Sequence, residues 1–266
     1  DRAAFQVFED GVLQDITYFS RQHQPIALTL LIDTSTSMES KMRIAQEAAI
    51  GFARQLTPAD VAAVVEFDSR PQILQSFTSD KGLLEAAIRR TAAGGSTSLY
   101  NAIYIGLREL QRVRATSPDE VRRQAIVVLS DGEDTTSLLS YEEVLELAKR
   151  SEVLVYCLGI GHGERGSFGH MLDLGNDTVE ITKLQALSDA TGGRSYLLEG
   201  ELHSGGVDRI DQAVLEIAKE LRNQYSIGYY PTNRSRENAY RSIKVETPNV
   251  RYKVRARKGY WAGKTP

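Results

Sequence analysis

The stretch Ile26-Ala-Leu-Thr-Leu-Leu-Ile-Asp33-Thr-Ser35-Thr-Ser37-Met38 decides how this chain folds. Residues 26–32 form an apolar run that is long enough for a strand buried on both faces. A helical pattern begins near Lys41, directly after the quoted stretch. The polar residues in between are therefore predicted to form a strand-to-helix loop.

Three oxygen-bearing side chains in this loop, those of Asp33, Ser35 and Ser37, stand at alternate positions. In an extended segment they leave the backbone on one side and face a common point. One carboxylate and two hydroxyls are hard donors, which suit Mg²⁺, Mn²⁺ or Ca²⁺ rather than zinc or copper. Ser, Thr and Asp before a helix are also the residues that cap a helix N-terminus. The loop alone leaves both interpretations open.

The composition of the chain excludes several classes of protein. The chain has 266 residues, 41% hydrophobic and 25% charged, with a net charge of −3, which fits one large domain or a large domain with a small companion. The near-neutral charge argues against general nucleic-acid binding, and no run approaches the roughly 18 apolar residues of a membrane helix. Because residue 1 is Asp rather than Met, we expect a trimmed or mature segment. The single Cys157 excludes an internal disulfide and a cysteine-based zinc site.

Strand and helix patterns alternate from residue 26 to residue 221, which is the signature of a doubly wound parallel sheet. We predict an α/β domain over residues 25–222, with a mostly parallel six-stranded sheet, one antiparallel edge strand, and helices on both faces. The strands are predicted at 26–32, 60–67, 72–77, 124–130, 153–160 and 194–198, and the helices at 41–56, 80–90, 99–113, 141–150, 183–190 and 207–221. The edge strand is antiparallel because a tight turn at 68–71 precedes it.

The two ends of the chain have a different pattern. Residues 1–24 contain a predicted β-hairpin that turns at Asp10-Gly11, and residues 223–266 contain predicted antiparallel strands at 225–230, 241–246 and 251–257. We expect the two flanks to meet in a small accessory sheet, because neither is stable alone. The last strand would carry one basic face, formed by Arg251, Lys253, Arg255 and Arg257. That face fits an anionic partner, or a solvated strand whose charges discourage edge-to-edge pairing.

The direction of the chain predicts where a site is assembled. Right-handed crossovers carry three loops to one rim of the sheet: the loop after Asp33, the Gly94–Ser98 loop and the loop that begins at Asp131. In doubly wound sheets, ligands bind at the carboxyl ends of the strands, where the strand order reverses. The central strand, which ends at Asp33, is where we expect that reversal.

At this point the motifs resemble a known family. Asp33-x-Ser35-x-Ser37-Met38, a Gly-Gly loop with Thr97, and Asp131-Gly, in this order and spacing, resemble the von Willebrand factor type A domain with its metal-ion-dependent adhesion site. The resemblance covers roughly residues 26–221 and implies a Rossmann-like fold. The flanks, including Phe5-Gln-Val-Phe-Glu-Asp-Gly and Gln224-Tyr-Ser-Ile-Gly-Tyr-Tyr-Pro, are similar to a bacterial, acidobacterial-type subfamily.

The resemblance also implies a ligand set and a cofactor. The residues that match Ser35, Ser37 and Thr97 hold a divalent cation directly or nearly so, with Mg²⁺ first and Mn²⁺ or Ca²⁺ as alternatives. Those that match Asp33 and Asp131 often act through water. The chain departs from many members at Thr36, where they carry Gly. Ser96 competes with Thr97 as the ligand, and we choose Thr97.

This chemistry predicts binding rather than catalysis. Two carboxylates and three hydroxyls, with waters, leave a Mg²⁺-like ion with an open position, which an Asp or Glu of a protein partner would complete. A metal hydrolase would need a base to activate water, and the three loops contain no His. We therefore predict a metal-dependent protein-binding or adhesion module that is not an enzyme. The alternatives are an adapter for an AAA+ ATPase, as in chelatase-type relatives, and a Mg²⁺-dependent phosphoryl-transfer enzyme. The resemblance implies an extracytoplasmic location, secreted or periplasmic.

Further rim candidates follow two of the strands. His162, Glu164, His170 and Asp173 come after the strand that ends near Ile160, and they fit a second metal site or a loop that sets specificity. Glu133 and Asp134 adjoin Asp131, and they either tune the charge of the rim or are ordinary exposed turn acids.

Overall fold

The computed structural model describes residues 2–21, 24–113, 122–161, 177–199, 207–235, 239–249, 251–252 and 254–263. The strands are β1 (Gln6–Glu9), β2 (Val12–Gln14), β3 (Ile16–Ser20), β4 (Ile26–Asp33), β5 (Val61–Phe67), β6 (Pro71–Thr78), β7 (Arg123–Ser130), β8 (Leu154–Gly161), β9 (Ser195–Glu199), β10 (Ser226–Tyr229), β11 (Ala239–Glu246) and β12 (Gly259–Ala262). The helices are α1 (Met42–Gln55), α2 (Lys81–Ile88), α3 (Leu99–Arg112), α4 (Tyr141–Arg150), α5 (Asp177–Thr191) and α6 (Val207–Arg222). Short 3₁₀ turns cover Arg2–Ala4 and Thr36–Met38.

A six-stranded sheet forms the centre of the molecule, in the order β6-β5-β4-β7-β8-β9. All neighbouring strands are parallel except β5 and β6, so β6 is the antiparallel edge strand. The predicted α/β fold class is confirmed. The strand order reverses between β4 and β7, which places the switch point beside Asp33, as the sequence predicted. One helix differs, because α5 begins at Asp177 rather than at Lys183.

The central strand β4 is buried at all eight positions, because helices cover both faces of the sheet. Its side chains alternate between two cores. Leu28, Leu30 and Ile32 pack with residues of α1, α2 and α6, whereas Ala27 and Leu31 pack with residues of α3 and α4. The polar loop that follows is therefore anchored on a strand that cannot shift its register without turning apolar side chains to the wrong layer.

Helix α1 is amphipathic, and its buried residues include Ala45, Ala48, Ala49 and Phe52. Among the described helices, α6 is the longest, with 16 residues. Within the part of the chain that the structure describes, no helix combines the length and the apolar character needed to span a membrane.

The two flanks pair with each other in two small antiparallel sheets. One sheet has the order β12-β11-β1-β2, and the other pairs β10 with β3. The predicted hairpin is present, with positive φ angles of 49° at Asp10 and 80° at Gly11, and the predicted meeting of the flanks is confirmed. Strand β3 was not predicted as a strand of its own, and the flanks form two accessory sheets rather than the single one predicted.

The prediction of a basic strand at residues 251–257 is wrong. The described part of this segment forms no strand, and β12 follows it at Gly259–Ala262. Side-chain contacts with the central domain hold the segment instead: Arg255 pairs with Glu220, and Arg257 donates to the backbone oxygen of Lys149 at 3.1 Å. Because these guanidinium groups bond to the domain, they do not form a solvated basic face.

Candidate metal-binding site

Backbone hydrogen bonds join the predicted loops at the rim of the sheet. The amide of Thr34 donates to the oxygen of Phe67 at 2.9 Å, which continues the β4–β5 pairing into the loop. The amide of Gly94 then donates to the oxygen of Thr34 at 2.7 Å. Thr36 donates to the oxygen of Gly95 through both its amide, at 3.0 Å, and its hydroxyl, at 2.9 Å. The Asp33 loop and the Gly-Gly loop therefore behave as one unit.

The Asp131 loop is attached to the same unit through Thr97. The backbone oxygen of Thr97 accepts from the amides of Thr135 and Thr136, at 2.9 and 3.0 Å. The amide of Thr97 donates to the hydroxyl of Thr135 at 2.9 Å. All three predicted loops thus meet at one rim, at the carboxyl ends of β4 and β7.

Asp33 is fully buried, and both of its carboxylate oxygens accept hydrogen bonds. Oδ1 accepts from the amide of Ser35 at 2.9 Å, and Oδ2 accepts from the hydroxyl of Ser130 at 2.5 Å. Ser130 is available because the pairing of β4 with β7 places the end of β7 beside the end of β4. Burial raises the pKa of Asp33 to about 6; the hydrogen bonds from Ser130 and Ser35 oppose that rise, and the nearby charge of Asp131 adds to it.

The hydroxyls of Ser35 and Ser37 lie next to each other, with 3.0 Å between the two Oγ atoms. Ser35 is buried and Ser37 is exposed, so the pair leads from the interior of the rim to solvent. The 3₁₀ turn Thr36–Met38 brings this about, because it folds the chain back instead of extending it. The alternate spacing of the motif predicted the convergence, although the extended backbone assumed for it ends at Ser35.

Asp131 offers the clearest test of whether these residues fit a cation. Its Oδ2 lies 3.0 Å from Nζ of Lys41, and both side chains are about nine-tenths buried. Its Oδ1 is also buried, yet it has no hydrogen-bond partner among the described residues. A buried carboxylate oxygen without a partner costs free energy, which a bound cation or its water would remove. The donor set of two carboxylates and neighbouring hydroxyls fits a hard divalent ion.

The structure distinguishes the two candidate ligands in the Gly-Gly loop. Thr97 is buried at the rim, whereas Ser96 is exposed and its amide donates to the hydroxyl of Ser69. Thr97 stays the predicted ligand of this loop. Ser98, the next residue, is fully buried, and its hydroxyl has no partner among the described residues.

The acids beside Asp131 have different surroundings. Glu133 is exposed. Asp134 accepts hydrogen bonds from the amide of Tyr100 and the hydroxyl of Ser137, at 3.2 and 2.6 Å, and so caps the first turn of α3. A structural role is therefore assigned to Asp134. The candidates His162, Glu164, His170 and Asp173 lie outside the described residues.

Two residues at the rim were missed from sequence. Ser130 holds Asp33, and Lys41 holds Asp131. The sequence did contain an indication for Lys41. A lysine at the start of a helix is disfavoured by the helix dipole, so its presence there suggests a compensating contact. No comparable signal marks Ser130, whose contact with Asp33 depends on the order of the strands.

The fold and the rim define a class: a doubly wound α/β domain with a polar, oxygen-lined site at the switch point. The sequence profile of the von Willebrand factor type A domain matches residues 27–195, and the chain belongs to this family. A relative from Mycolicibacterium vanbaalenii, named only UPF0353 protein, is 32% identical over 114 residues, which are 40% of this chain and 34% of that protein. The chain therefore spans about a third of that relative's length.

Solved structures agree with this fold. A von Willebrand factor type A structure from Catenulispora acidiphila aligns with a TM-score of 0.56 and 15% identity, over 81% of this chain and 50% of that one. The vWF domain of the type V pili tip protein Mfa5 from Porphyromonas gingivalis aligns with a TM-score of 0.52 and 14% identity, over 73% of this chain and 97% of that one. At these identities the similarity describes the fold alone.

Proposed function

We propose that this protein is a metal-dependent protein-binding module, which holds a divalent cation at the rim and captures an acidic side chain of a partner. The observation that carries the proposal is the buried Oδ1 of Asp131, which has no partner among the described residues and lies beside a second buried carboxylate, Asp33. Ser35, Ser37 and Thr97 would supply the hydroxyl ligands. Mg²⁺ is the first candidate, with Mn²⁺ and Ca²⁺ as alternatives.

The arrangement favours binding over catalysis. Both oxygens of Asp33 already accept hydrogen bonds, so this carboxylate is set to hold a position rather than to take a proton from water. A bound cation would supply positive charge at the rim, and the exposed side of Ser37 leaves an approach from solvent. A carboxylate from a partner would both fill the open position and offset that charge.

Calorimetric titration with Mg²⁺, Mn²⁺ and Ca²⁺ tests the proposal. We expect one ion to bind to the wild-type chain, and Ser35→Ala combined with Asp131→Ala to abolish binding while circular dichroism stays unchanged. Ser76→Ala combined with Asp15→Ala removes the same groups from exposed positions and should leave binding intact. Equal binding by all three proteins would place the ion elsewhere and refute the proposal.

The second half of the proposal concerns the partner. A peptide that contains Glu should bind in the presence of the cation and dissociate when EDTA is added, whereas the same peptide with Gln should not bind. We place the protein outside the cytoplasm, as the sequence resemblance implies, and fractionation of the source cells tests this. Binding that is unaffected by EDTA would refute cation-mediated capture.

A further inference from the structure

Lys41 occupies an unfavourable place for a lysine. It is the N-cap residue of α1, where the helix dipole disfavours a positive charge, and its side chain is only 9% exposed. Burial of an ammonium group costs free energy unless a partner compensates for it. The compensating contact is with Oδ2 of Asp131, at 3.0 Å. The lysine is therefore held against a carboxylate that the proposed function assigns to a cation.

We propose that Lys41 is a specificity-determining counter-charge, which makes the rim bind a divalent cation weakly alone and strongly together with a carboxylate. This inference rests on the proposed function, because it concerns the same site. According to this proposal, Lys41 makes tight cation binding depend on a carboxylate from a partner. The oxygen ligands alone would not create that dependence.

The charges at the rim explain the effect. Asp33 and Asp131 carry two negative charges, and Lys41 carries one positive charge. A divalent ion therefore leaves the site with one net positive charge, which a single carboxylate neutralises. Without Lys41 the ion alone would neutralise the site, and an added carboxylate would make it negative. Because charge repulsion is strong in a buried setting, Lys41 weakens the binding of the cation and strengthens that of the carboxylate.

The geometry allows both cations to be present together. Lys41 engages Oδ2 of Asp131, and Oδ1 of the same carboxylate has no partner among the described residues. One oxygen is thus available to the ion while the other stays with the ammonium group. Glu133 and Asp134 add negative charge nearby, but they are unchanged in any Lys41 variant and cancel in the comparison.

The test uses Mn²⁺ and acetate as probes, with free Mn²⁺ measured by electron paramagnetic resonance. We expect Lys41→Met, which keeps the length of the side chain, to bind Mn²⁺ alone at least about tenfold more tightly than wild type. Saturating acetate should tighten Mn²⁺ binding by at least about threefold in wild type and by less in the variant. Lys41→Arg should resemble wild type, and Lys41→Gln repeats the measurement if the Met variant does not fold.

Lys81→Met serves as the matched control, because it removes the same charge from an exposed helix start and should change neither value. If wild type binds Mn²⁺ and Asp131→Ala does not, but Lys41→Met binds Mn²⁺ no more tightly than wild type, then the inference is wrong and the proposed function stands. If wild type binds no Mn²⁺ with or without acetate, both are refuted.

Discussion

Among the single residues of the rim, Asp33 has the carboxylate that is most deeply buried. Its carboxylate is fully buried, and burial is the main reason that its pKa is about 6 rather than the ordinary 3.8. The folded chain without metal therefore holds a proton here more tightly than the unfolded chain does. It follows that this group's contribution to stability declines as the pH rises through the window from 3.8 to about 6.

We predict that Asp33→Asn stabilises the metal-free chain at pH 7 while it abolishes cation binding. A shift of about two pKa units corresponds to about 3 kcal/mol, which is the upper limit of the gain. The Asn oxygen can still accept from the amide of Ser35. Urea unfolding in EDTA at pH 4.5 and pH 7 measures the effect, and the exposed Asp15→Asn is the control. A variant that is clearly less stable than wild type at pH 7 would show that the buried charge of Asp33 does not destabilise the metal-free chain.

The site residues were only partly predictable from sequence, for a physical reason. Asp33, Ser35 and Ser37 are close in sequence, so their convergence could be predicted, although the 3₁₀ turn Thr36–Met38 that brings Ser37 to Ser35 could not. The loops that carry Thr97 and Asp131 were placed by counting strand directions, and the family resemblance singled out Thr97 within its loop. Lys41 contacts a residue 90 positions away, and a contact of that kind depends on how the loops pack.

Among the structural elements, the Gly-Gly loop has a conformation that requires glycine at one of its two positions. Gly95 has a φ of +80°, and a Cβ there would lie 3.0 Å from Oδ2 of Asp68 and 3.1 Å from Oγ of Ser69. Gly94 has open space at the same position and no positive φ. The two neighbours therefore form a matched pair, in which only the second requires glycine.

We predict that Gly95→Ala lowers the free energy of unfolding by about 1–2 kcal/mol and weakens cation binding several-fold, because the loop that carries Thr97 must shift. Gly94→Ala should change both by little. Thermal unfolding and calorimetry measure the two effects. Equal behaviour of the two variants would show that the loop conformation does not matter to the site.

One buried carboxylate joins four strands of the flanks. Glu9 on β1 pairs with Arg241 on β11 at 2.8 Å, and it accepts from the hydroxyls of Tyr229 on β10 and Tyr260 on β12, each at 2.8 Å. Glu9 and Arg241 are both nearly fully buried. Burial and the hydrogen bond to Glu9 both raise the pKa of Tyr229, which keeps its hydroxyl a donor.

We predict that Glu9→Gln costs about 3 kcal/mol, because it leaves the Arg241 guanidinium buried without its counter-charge. The control is Glu246→Gln, which removes the same charge from an exposed pair with Lys244 and should cost less than about 1 kcal/mol. Urea unfolding curves of both variants measure the two losses in the free energy of unfolding. A loss for Glu9→Gln that is no larger than that of the control would refute the role of this network.

Elements in the central domain were predicted to within one or two residues at most boundaries, because their burial patterns are regular. The segment 251–257 was predicted wrongly because its alternation of charged and apolar residues imitates a strand. Its actual position is decided by Arg255 and Arg257, which bond to α6 and α4 of the central domain. Local periodicity carries no information about such contacts.

At the scale of the whole molecule, the flanks are attached to the central domain by side chains of β12 and α4. Nε1 of Trp261 donates to Glu146 at 3.1 Å, and the guanidinium of Arg150 lies 4.7 Å from the centre of the Trp261 ring. Within the flanks, the aromatic rings of Phe5, Phe19 and Tyr225 pack together and join the two ends of the chain, with centroids 5.3 to 5.7 Å apart. We therefore expect the flanks and the central domain to unfold as one cooperative unit.

The chain has a single tryptophan, Trp261, which reports on this attachment. We predict that the fluorescence change of Trp261 in urea coincides with the loss of helical circular dichroism. The reason is that β12 cannot separate from α4 without disturbing both the accessory sheet and the helices of the central domain. Arg150→Ala should move the two curves together to lower urea concentration. A fluorescence transition that precedes the circular dichroism transition would show instead that the flanks detach from a domain that stays folded.

We propose that a divalent cation binds among Asp33, Ser35, Ser37, Thr97 and Asp131. The most direct measurement is the anomalous diffraction of crystals grown with Mn²⁺, which locates the ion without reference to any assumed ligand. We predict one strong peak at the rim, next to Oδ1 of Asp131, while Lys41 stays with Oδ2. Peaks only at other positions, or a crystal soaked at saturating Mn²⁺ that shows none at the rim, would show that these residues do not bind the cation.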